Sequence, residues 1–188
     1  MDVSAVESFV RAQLSTRLSP DLYYHNIGHT LDVVKASMRI ADEEGVEDEH
    51  DRLLLLTAAW MHDTGFMVIY DNHEEEGCRM SRELLPQHGY SPTEIDTVCS
   101  LIMKTKVPQM PVTHLECILC DADLDHLGSD DFKTVSDRLH KEWVAFKRLN
   151  GNTEWDQVQF DFLSRHRYWT RSSQQKRDLQ KERHMEAL

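Results

Sequence analysis

The sequence predicts an all-α fold, and three observations support that prediction. Apolar residues recur at helical spacing along most of the chain. The 7 glycines and 5 prolines are few and fall between the periodic segments. Strand-like alternation is scarce, since the run MVIY at 67–70 is short and is the one β-like stretch of the sequence. Eight or nine helices without a sheet indicate a helical bundle, which we expect to form one domain over residues 1–188.

The predicted helices follow one another with short connections. They cover residues 2–17, 29–44, 50–63, 72–87, 91–104, 113–127, 130–148 and 153–166, and residues 170–188 form a polar helix or a frayed tail. Apolar faces support the first, second and fourth helices. These faces consist of Val6, Phe9, Val10 and Leu14, then Leu31, Val34, Met38 and Ala41, and then Met80 with Leu84.

Other helices are supported by composition or by signals at their ends. The segment 50–63 carries the apolar block LLLLTAAWMH, which predicts a helix buried on most sides. The segment Ser91-Pro92-Thr93-Glu94 is a capping box with proline at the first helical position, and it opens a helix that runs to about Lys104. Asn152 or Thr153 is the expected cap of the helix at 153–166.

Composition and charge exclude several classes of function. The net charge of −12 disfavours binding to a nucleic-acid backbone, although a bound metal can reverse the local field for a small phosphorylated substrate. The sequence contains no apolar run of membrane-spanning length. Its acidic start lacks the basic and apolar regions of a secretory signal, so we expect a cytoplasmic location. A homodimer is compatible with these features.

The pair Cys117-x-x-Cys120 favours two buried thiols over a zinc or redox site, because no second pair is present.

Histidines and carboxylates cluster in four short segments that could form a metal site. These segments are YYHNIGH at 23–29, MHD at 61–63, NHEE at 72–75 and DADLDHLG at 121–128. His62 and Asp63 end a nearly apolar helix, where a buried carboxylate needs a partner and a cation can supply one. Each segment also has a simpler interpretation as a surface or capping feature. Their combination in one chain favours a metal site with open positions.

Spacing indicates which residues of the other segments face the site. His25 and His29 lie four residues apart, with Gly28 between them, and Asp32 could orient the His29 ring. Asp123 is four residues from both Leu119 and Leu127 and should therefore face the interior. The neighbouring acids Asp121 and Asp125 suit a helix surface better.

The ordered motif H…HD…D resembles that of the HD-domain superfamily of metal-dependent phosphohydrolases. The resemblance covers about residues 20–130, which would form the core that holds the metal site, and residues 130–188 would add C-terminal helices. It implies an all-α fold. It implies metal ligation by His29, His62, Asp63 and Asp123. The ion would be Mn, Mg, Zn, Fe or Ni. The segment YHNIGH also resembles YHNxxH of cyclic-nucleotide phosphodiesterases, which implies that His25 is the general acid.

Three further residues are candidates near this site. His73, within HEEEG, matches the third histidine of two-metal members, which implies that it is a further metal ligand. The histidines that such members carry on the next helix are missing from IMKTKVP, so we expect one ion rather than two. Glu74 could act as a base. Lys104 could contact a substrate phosphate or could simply be solvated.

The downstream aromatic stretch has two interpretations. Its residues could form a stacking platform for a base, or they could pack a C-terminal helix onto the core, which we favour. They are Trp155, Phe162, His166, Tyr168 and Trp169.

The leading hypothesis is hydrolysis of a nucleotide or another small phosphate ester by an activated water. Asp63 would accept the proton of that water, and His25 or Glu74 would protonate the leaving group. One alternative is an HD-fold di-iron oxygenase, which needs a fuller ligand set. A second alternative is a ligand-binding regulatory domain without catalytic activity.

Overall fold

The computed structural model describes residues 1–149 and 154–188, and within them all regular structure is helical. The α-helices are α1 (Val3–Arg17), α2 (Ile27–Glu43), α3 (Glu49–Met61), α4 (His73–Leu84), α5 (Pro92–Thr105), α6 (His114–Asp123), α7 (Phe132–Ala145), α8 (Trp155–Arg165) and α9 (Arg171–Glu186). Short 3₁₀ helices cover Thr64–Met67, Leu85–His88 and Asp125–Gly128. The prediction of an all-α fold is confirmed.

The core is built around α3, which packs against α1, α2, α5 and α6. Leu55, Ala58, Ala59 and Met61 of this helix are fully buried. The apolar block therefore lies inside the bundle, as its composition predicts. The capping box at Ser91 and Glu94 is also present, and it starts α5.

Several predicted helix ends were wrong, because the α-helices stop earlier than the apolar pattern suggests and 3₁₀ turns continue the segments. Helix α4 ends at Leu84, where Pro86 removes a backbone donor, and a 3₁₀ turn continues the segment. Helix α6 ends at Asp123, because the Leu124 carbonyl accepts a 3₁₀-type bond from Leu127 N (3.0 Å) and a bond from the Tyr168 hydroxyl (3.2 Å). The β-like run at 67–70 forms no strand among the described residues.

The C-terminal helices pack on a second apolar cluster. It consists of Leu124, Leu127, Phe132, Leu163 and Tyr168. The polar tail is helical over α9. The predicted capping of α8 by Asn152 or Thr153 lies outside the described residues, and the N-cap position there is Glu154.

The surface assignment of Asp121 and Asp125 was wrong. Asp121 is fully buried and accepts hydrogen bonds from the backbone N–H of Trp169 (2.8 Å), from that of Thr170 (2.8 Å) and from the Thr170 hydroxyl (2.7 Å). Asp125 pairs with Arg39 (2.7 Å) and Arg177 (2.6 Å). Both acids thus tie α6 and its 3₁₀ extension to other elements, a role that spacing within one helix does not reveal.

Within residues 1–149 and 154–188, none of the helices combines the length and the apolar composition that a membrane span requires.

Candidate metal centre

His29 enters the site from the first turn of α2. Asn26 caps this helix by accepting a hydrogen bond from Gly28 N (2.8 Å). A Cβ at Gly28 would lie 2.9 Å from the Asn26 side-chain oxygen, so the tight turn favours glycine. His25 precedes the helix, and its ring centre lies 5.9 Å from that of His29. The turn therefore brings both imidazoles to the same region although they do not share a helical face.

His62 and Asp63 follow the last residue of α3. The Met61 carbonyl accepts a bond from the Thr64 hydroxyl (2.7 Å), which stabilises the turn after the helix. His62 Nδ1 donates to the Ala59 carbonyl (2.8 Å), and this bond selects the tautomer whose Nε2 carries a lone pair. The free Nε2 points towards the side chains of His29, Asp63 and Asp123.

The donor atoms of His29, His62 and Asp123 lie close to one another, and Asp63 Oδ2 lies close to both imidazoles; these four residues form the ligand cluster. His29 Nε2 lies 3.1 Å from Asp123 Oδ1 and 3.4 Å from both His62 Nε2 and Asp63 Oδ2. His62 Nε2 lies 3.2 Å from Asp63 Oδ2 and 3.7 Å from Asp123 Oδ1. Ligands about 2.1 Å from one ion, at angles of roughly 90 to 110°, are about 3.0–3.4 Å apart. Most of the observed separations are therefore those of a coordination shell.

The local chemistry also fits a cation. Asp63 Oδ2 is buried and accepts no hydrogen bond, and two imidazole nitrogens face each other across the cluster. Burial would raise the pKa of Asp63, but the neighbouring His62 holds it well below its ordinary value. Burial would lower the pKa of His62, whereas Asp63 raises it above the ordinary histidine value. The cluster thus stabilises positive charge, which a divalent ion supplies.

His73 approaches the other oxygen of the same carboxylate. It is the first residue of α4, and its Nδ1 donates to the Tyr70 carbonyl (3.2 Å). Its Nε2 lies 3.5 Å from Asp63 Oδ1 and 3.6 Å from Glu74 Oε1. Glu74 is buried. Asp63 therefore lies between the ligand cluster and a second group that has only two donor side chains, His73 and Glu74.

His25 is held by a glutamate that the sequence reasoning missed. His25 Nδ1 donates to Glu142 Oε1 (2.5 Å), and the other carboxylate oxygen accepts from the backbone N–H of Tyr24 (2.9 Å) and of His25 (3.0 Å). The Tyr70 hydroxyl also donates to Oε1 (2.8 Å). Burial lowers the pKa of His25, but the bond to Glu142 and the nearby carboxylates raise it overall. The pair therefore favours the protonated form of His25.

Phe66 fixes the plane of two imidazoles. Its ring stacks on His25 with centres 4.2 Å apart and on His73 with centres 3.8 Å apart. Both histidines are therefore oriented by packing as well as by hydrogen bonds.

A cavity of about 420 Å³ opens beside the centre. Asp63, His73 and Asp123 line it together with His25, and apolar side chains of α7 and α8 line another part. A substrate in this cavity would contact the ligand cluster and His25 together.

The sequence model of the HD domain matches residues 26–127, just over half of the 188 residues. The chain belongs to the HD-domain family. The resemblance stated from the motif is thereby confirmed, and HD domains generally bind divalent metal ions.

A solved structure has the same fold as this HD domain. It is the crystal structure of a predicted HD superfamily hydrolase from an uncultured Thermotogales bacterium, with a TM-score of 0.61 and 22% sequence identity. The match covers 98% of this chain and 86% of the other. A comparison with curated proteins yields no significant match.

Two polar residues that the sequence singled out lie away from the ligand cluster of the HD domain. Lys104 donates to the Met110 carbonyl (2.9 Å) and is not among the lining residues, whereas Lys106 is. Asp32 is exposed, with 79% of its side-chain surface accessible, so it does not orient His29.

Some residues of the downstream aromatic stretch pack in the core, and others lie at the cavity. Tyr168 is buried in the second cluster, whereas Trp155 and Phe162 line the cavity. Cys117 and Cys120 are free thiols, and Cys120 donates to the Lys104 carbonyl (3.0 Å).

A signal for Glu142 does exist in the sequence. It lies three residues after Leu139 and four before Phe146, which places a carboxylate on the apolar face of an amphipathic helix. Its partner could not be identified in this way, because Glu142 and His25 are 117 residues apart.

Proposed function

We propose that this HD domain is a metal-dependent phosphohydrolase that acts on a small phosphate ester. The observation that carries the proposal is the convergence of His29, His62 and Asp123, with Asp63 Oδ2 beside both imidazoles, next to an open cavity. Their imidazole and carboxylate donors suit a catalytic divalent ion with open positions. One ion in the four-ligand cluster is the favoured stoichiometry, since His73 and Glu74 provide few donors for a second.

When bound, such an ion supplies Lewis acidity, which acidifies a water ligand and polarises a phosphoryl oxygen. Asp63, which lines the cavity, would accept a proton from the attacking water. Glu74, buried beside His73, is a second candidate acceptor. His25 carries the proton that the leaving alkoxide needs, and Glu142 holds its ring in place.

The proposal is tested by metal removal and by variants of the ligand cluster. Chelator should abolish hydrolysis of phosphate esters, and Mn²⁺ should restore it. Asp63→Ala and Asp123→Asn should each lower kcat/KM at least about 100-fold, because they remove a ligand of the ion. Asp32→Asn is the matched control, since it removes an exposed carboxylate from the helix that carries His29. It should retain full activity.

Two further measurements separate metal binding from catalysis. Elemental analysis should give one ion per chain, and the metal should raise the melting temperature of the wild type but not of Asp123→Asn. Activity that survives both chelation and Asp63→Ala would overturn the proposal. Two irons per chain would favour the di-iron oxygenase, and bound ligand without turnover would favour the regulatory domain.

A further inference from the structure

Beyond the metal centre, the cavity continues into an apolar chamber between α7 and α8. We define the aromatic chamber by its lining side chains, which are Leu139, Trp143, Trp155, Val158, Phe162 and Leu163. The whole cavity, of about 420 Å³, has the size of a small-molecule site. The cavity as a whole is therefore large enough to hold a small substrate, and the aromatic chamber forms its apolar part.

The chamber is continuous with the residues that would protonate a leaving group. Trp143 follows Glu142 directly in α7, and both Trp143 and His25 line the same cavity. The indole of Trp143 meets that of Trp155 edge to face, with ring centres 5.5 Å apart and an interplanar angle of 77°. A flat ring can find stacking and edge contacts in such a corner. The group attached to the ester oxygen would extend from His25 into this corner.

Polar groups at the chamber are already paired with one another. Trp155 Nε1 donates to the Ser136 hydroxyl (2.9 Å), and that hydroxyl donates to the side-chain oxygen of Gln159. The Gln159 amide in turn donates to Asp156 (3.3 Å). A nucleobase that entered the chamber would find only the remaining sites of these groups, such as the second amide proton of Gln159, to pair its polar edge. An apolar ring would leave the existing bonds intact.

Charge limits the number of phosphates. Lys106 and Arg148 are the lysine and arginine side chains among the described lining residues. Each already faces a carboxylate, since Lys106 pairs with Glu75 (2.6 Å) and Arg148 pairs with Asp71. Asp63, Glu74 and Asp123 add negative charge to the same wall. A polyphosphate would meet repulsion that one phosphate at the ion avoids.

We propose that the substrate is a phosphate monoester with a single phosphate and a leaving alcohol that carries a flat aromatic group. The inference rests on the proposed phosphohydrolase function and names its substrate class. In the reaction, the water oxygen forms a bond to phosphorus and loses a proton to Asp63, and the bond from phosphorus to the ester oxygen breaks. The proton of His25 goes to the departing oxygen. The products are inorganic phosphate and the aromatic alcohol.

The test compares three esters whose leaving groups are primary alkoxides, so that differences among them report on binding of the attached group. Adenosine 5′-triphosphate, whose terminal phosphate leaves from an anhydride, is added to test the limit on the number of phosphates. The panel is 2-naphthylmethyl phosphate, ethyl phosphate, adenosine 5′-monophosphate and adenosine 5′-triphosphate. We expect kcat/KM for 2-naphthylmethyl phosphate to exceed that for the other three by at least about tenfold, the range that apolar pocket contacts provide.

Variants of α8 show whether the chamber causes the preference. Phe162→Ala removes a lining ring and should lower kcat/KM for 2-naphthylmethyl phosphate about tenfold relative to ethyl phosphate. Phe160→Ala is the matched control, because Phe160 is 43% exposed on the same helix and does not line the cavity. Phe160→Ala should leave kcat/KM unchanged for both substrates. Val158→Phe fills the chamber without leaving a void and should also reduce the preference, which covers the case that Phe162→Ala does not fold.

Binding of unreactive analogues keeps this inference separate from the proposed function. In calorimetry, the metal-loaded wild type should bind 2-naphthylethyl phosphonate at least tenfold more tightly than ethyl phosphonate. If all esters are hydrolysed equally well, the substrate class is wrong and the phosphohydrolase function stands. If no ester is hydrolysed but the naphthyl phosphonate binds selectively, the chamber assignment stands and the hydrolase function fails. Equal binding of both phosphonates overturns the inference whatever the activity.

Discussion

At the scale of single residues, the position of a proton donor depends on one buried carboxylate. Glu142 has no exposed surface and receives hydrogen bonds from two backbone N–H groups, from Tyr70 and from His25. The backbone bonds hold the carboxylate in place, so its remaining acceptor capacity orients the His25 ring. Glu142 is thus a positioning residue that acts through His25.

We predict that Glu142→Gln lowers kcat selectively for esters with poor leaving groups. Loss of a positioned general acid typically costs about 10²- to 10⁴-fold, and an alkoxide needs the proton more than a nitrophenolate does. The kcat for ethyl phosphate should therefore fall at least ten times more than the kcat for p-nitrophenyl phosphate, with KM changed little. Asp137→Asn, on the exposed face of the same helix, is the control. An equal loss for both esters would show that Glu142 has only a structural role.

At the scale of elements, close packing of the 3₁₀ helix Thr64–Met67 against α4 positions His73. Gly65 lies where a Cβ would come within 1.9 Å of the His73 carbonyl oxygen and 2.7 Å of its carbon. Backbone cannot move aside as a flexible side chain can, so this contact requires glycine. Gly77, within α4, leaves a Cβ in ordinary contact, 3.4 Å from the Met61 carbonyl oxygen.

We therefore expect substitution by alanine to have different effects on stability at Gly65 and at Gly77. Gly65→Ala should lower the free energy of unfolding by about 3 kcal/mol or more, because overpacking against backbone forces the elements apart. It should also lower activity in the molecules that remain folded, since His73 moves. Gly77→Ala should be neutral or stabilise by up to about 1 kcal/mol through helix propensity. Urea unfolding measures both, and a tolerated Gly65→Ala would contradict the described packing.

At the scale of the whole molecule, α6 joins the ligand cluster to the C-terminal part of the chain. Asp123 of this helix faces the other ligands, whereas Asp121, two residues earlier, binds the segment that leads into α9. Asp125 adds ion pairs to Arg39 of α2 and to Arg177 of α9. One short stretch of chain thus positions a ligand and docks the C-terminal helix.

Removal of the Asp121 carboxylate should weaken this docking. Burial raises the pKa of Asp121 although its donors oppose the shift, so ionisation itself opposes folding and the hydrogen bonds provide the stabilisation. Asp121→Ala leaves three donors without an acceptor and should cost about 2–4 kcal/mol of unfolding free energy, measured by urea denaturation. Asp178→Asn, an exposed change on α9, should stay within about 0.5 kcal/mol of wild type. A similar small effect for both variants would show that Asp121 does not anchor α9.

The sequence by itself determined the helical class and the set of candidate ligands. Apolar periodicity, caps and the adjacent pair His62–Asp63 are local features that can be recognised without knowing the neighbours of each helix. Only the tertiary structure decided the partner of His25, the buried role of Asp121 and the place of Lys106, rather than Lys104, at the cavity. The physical reason is that these contacts join residues far apart in the chain, and helical spacing gives the face of a residue but not which face it meets.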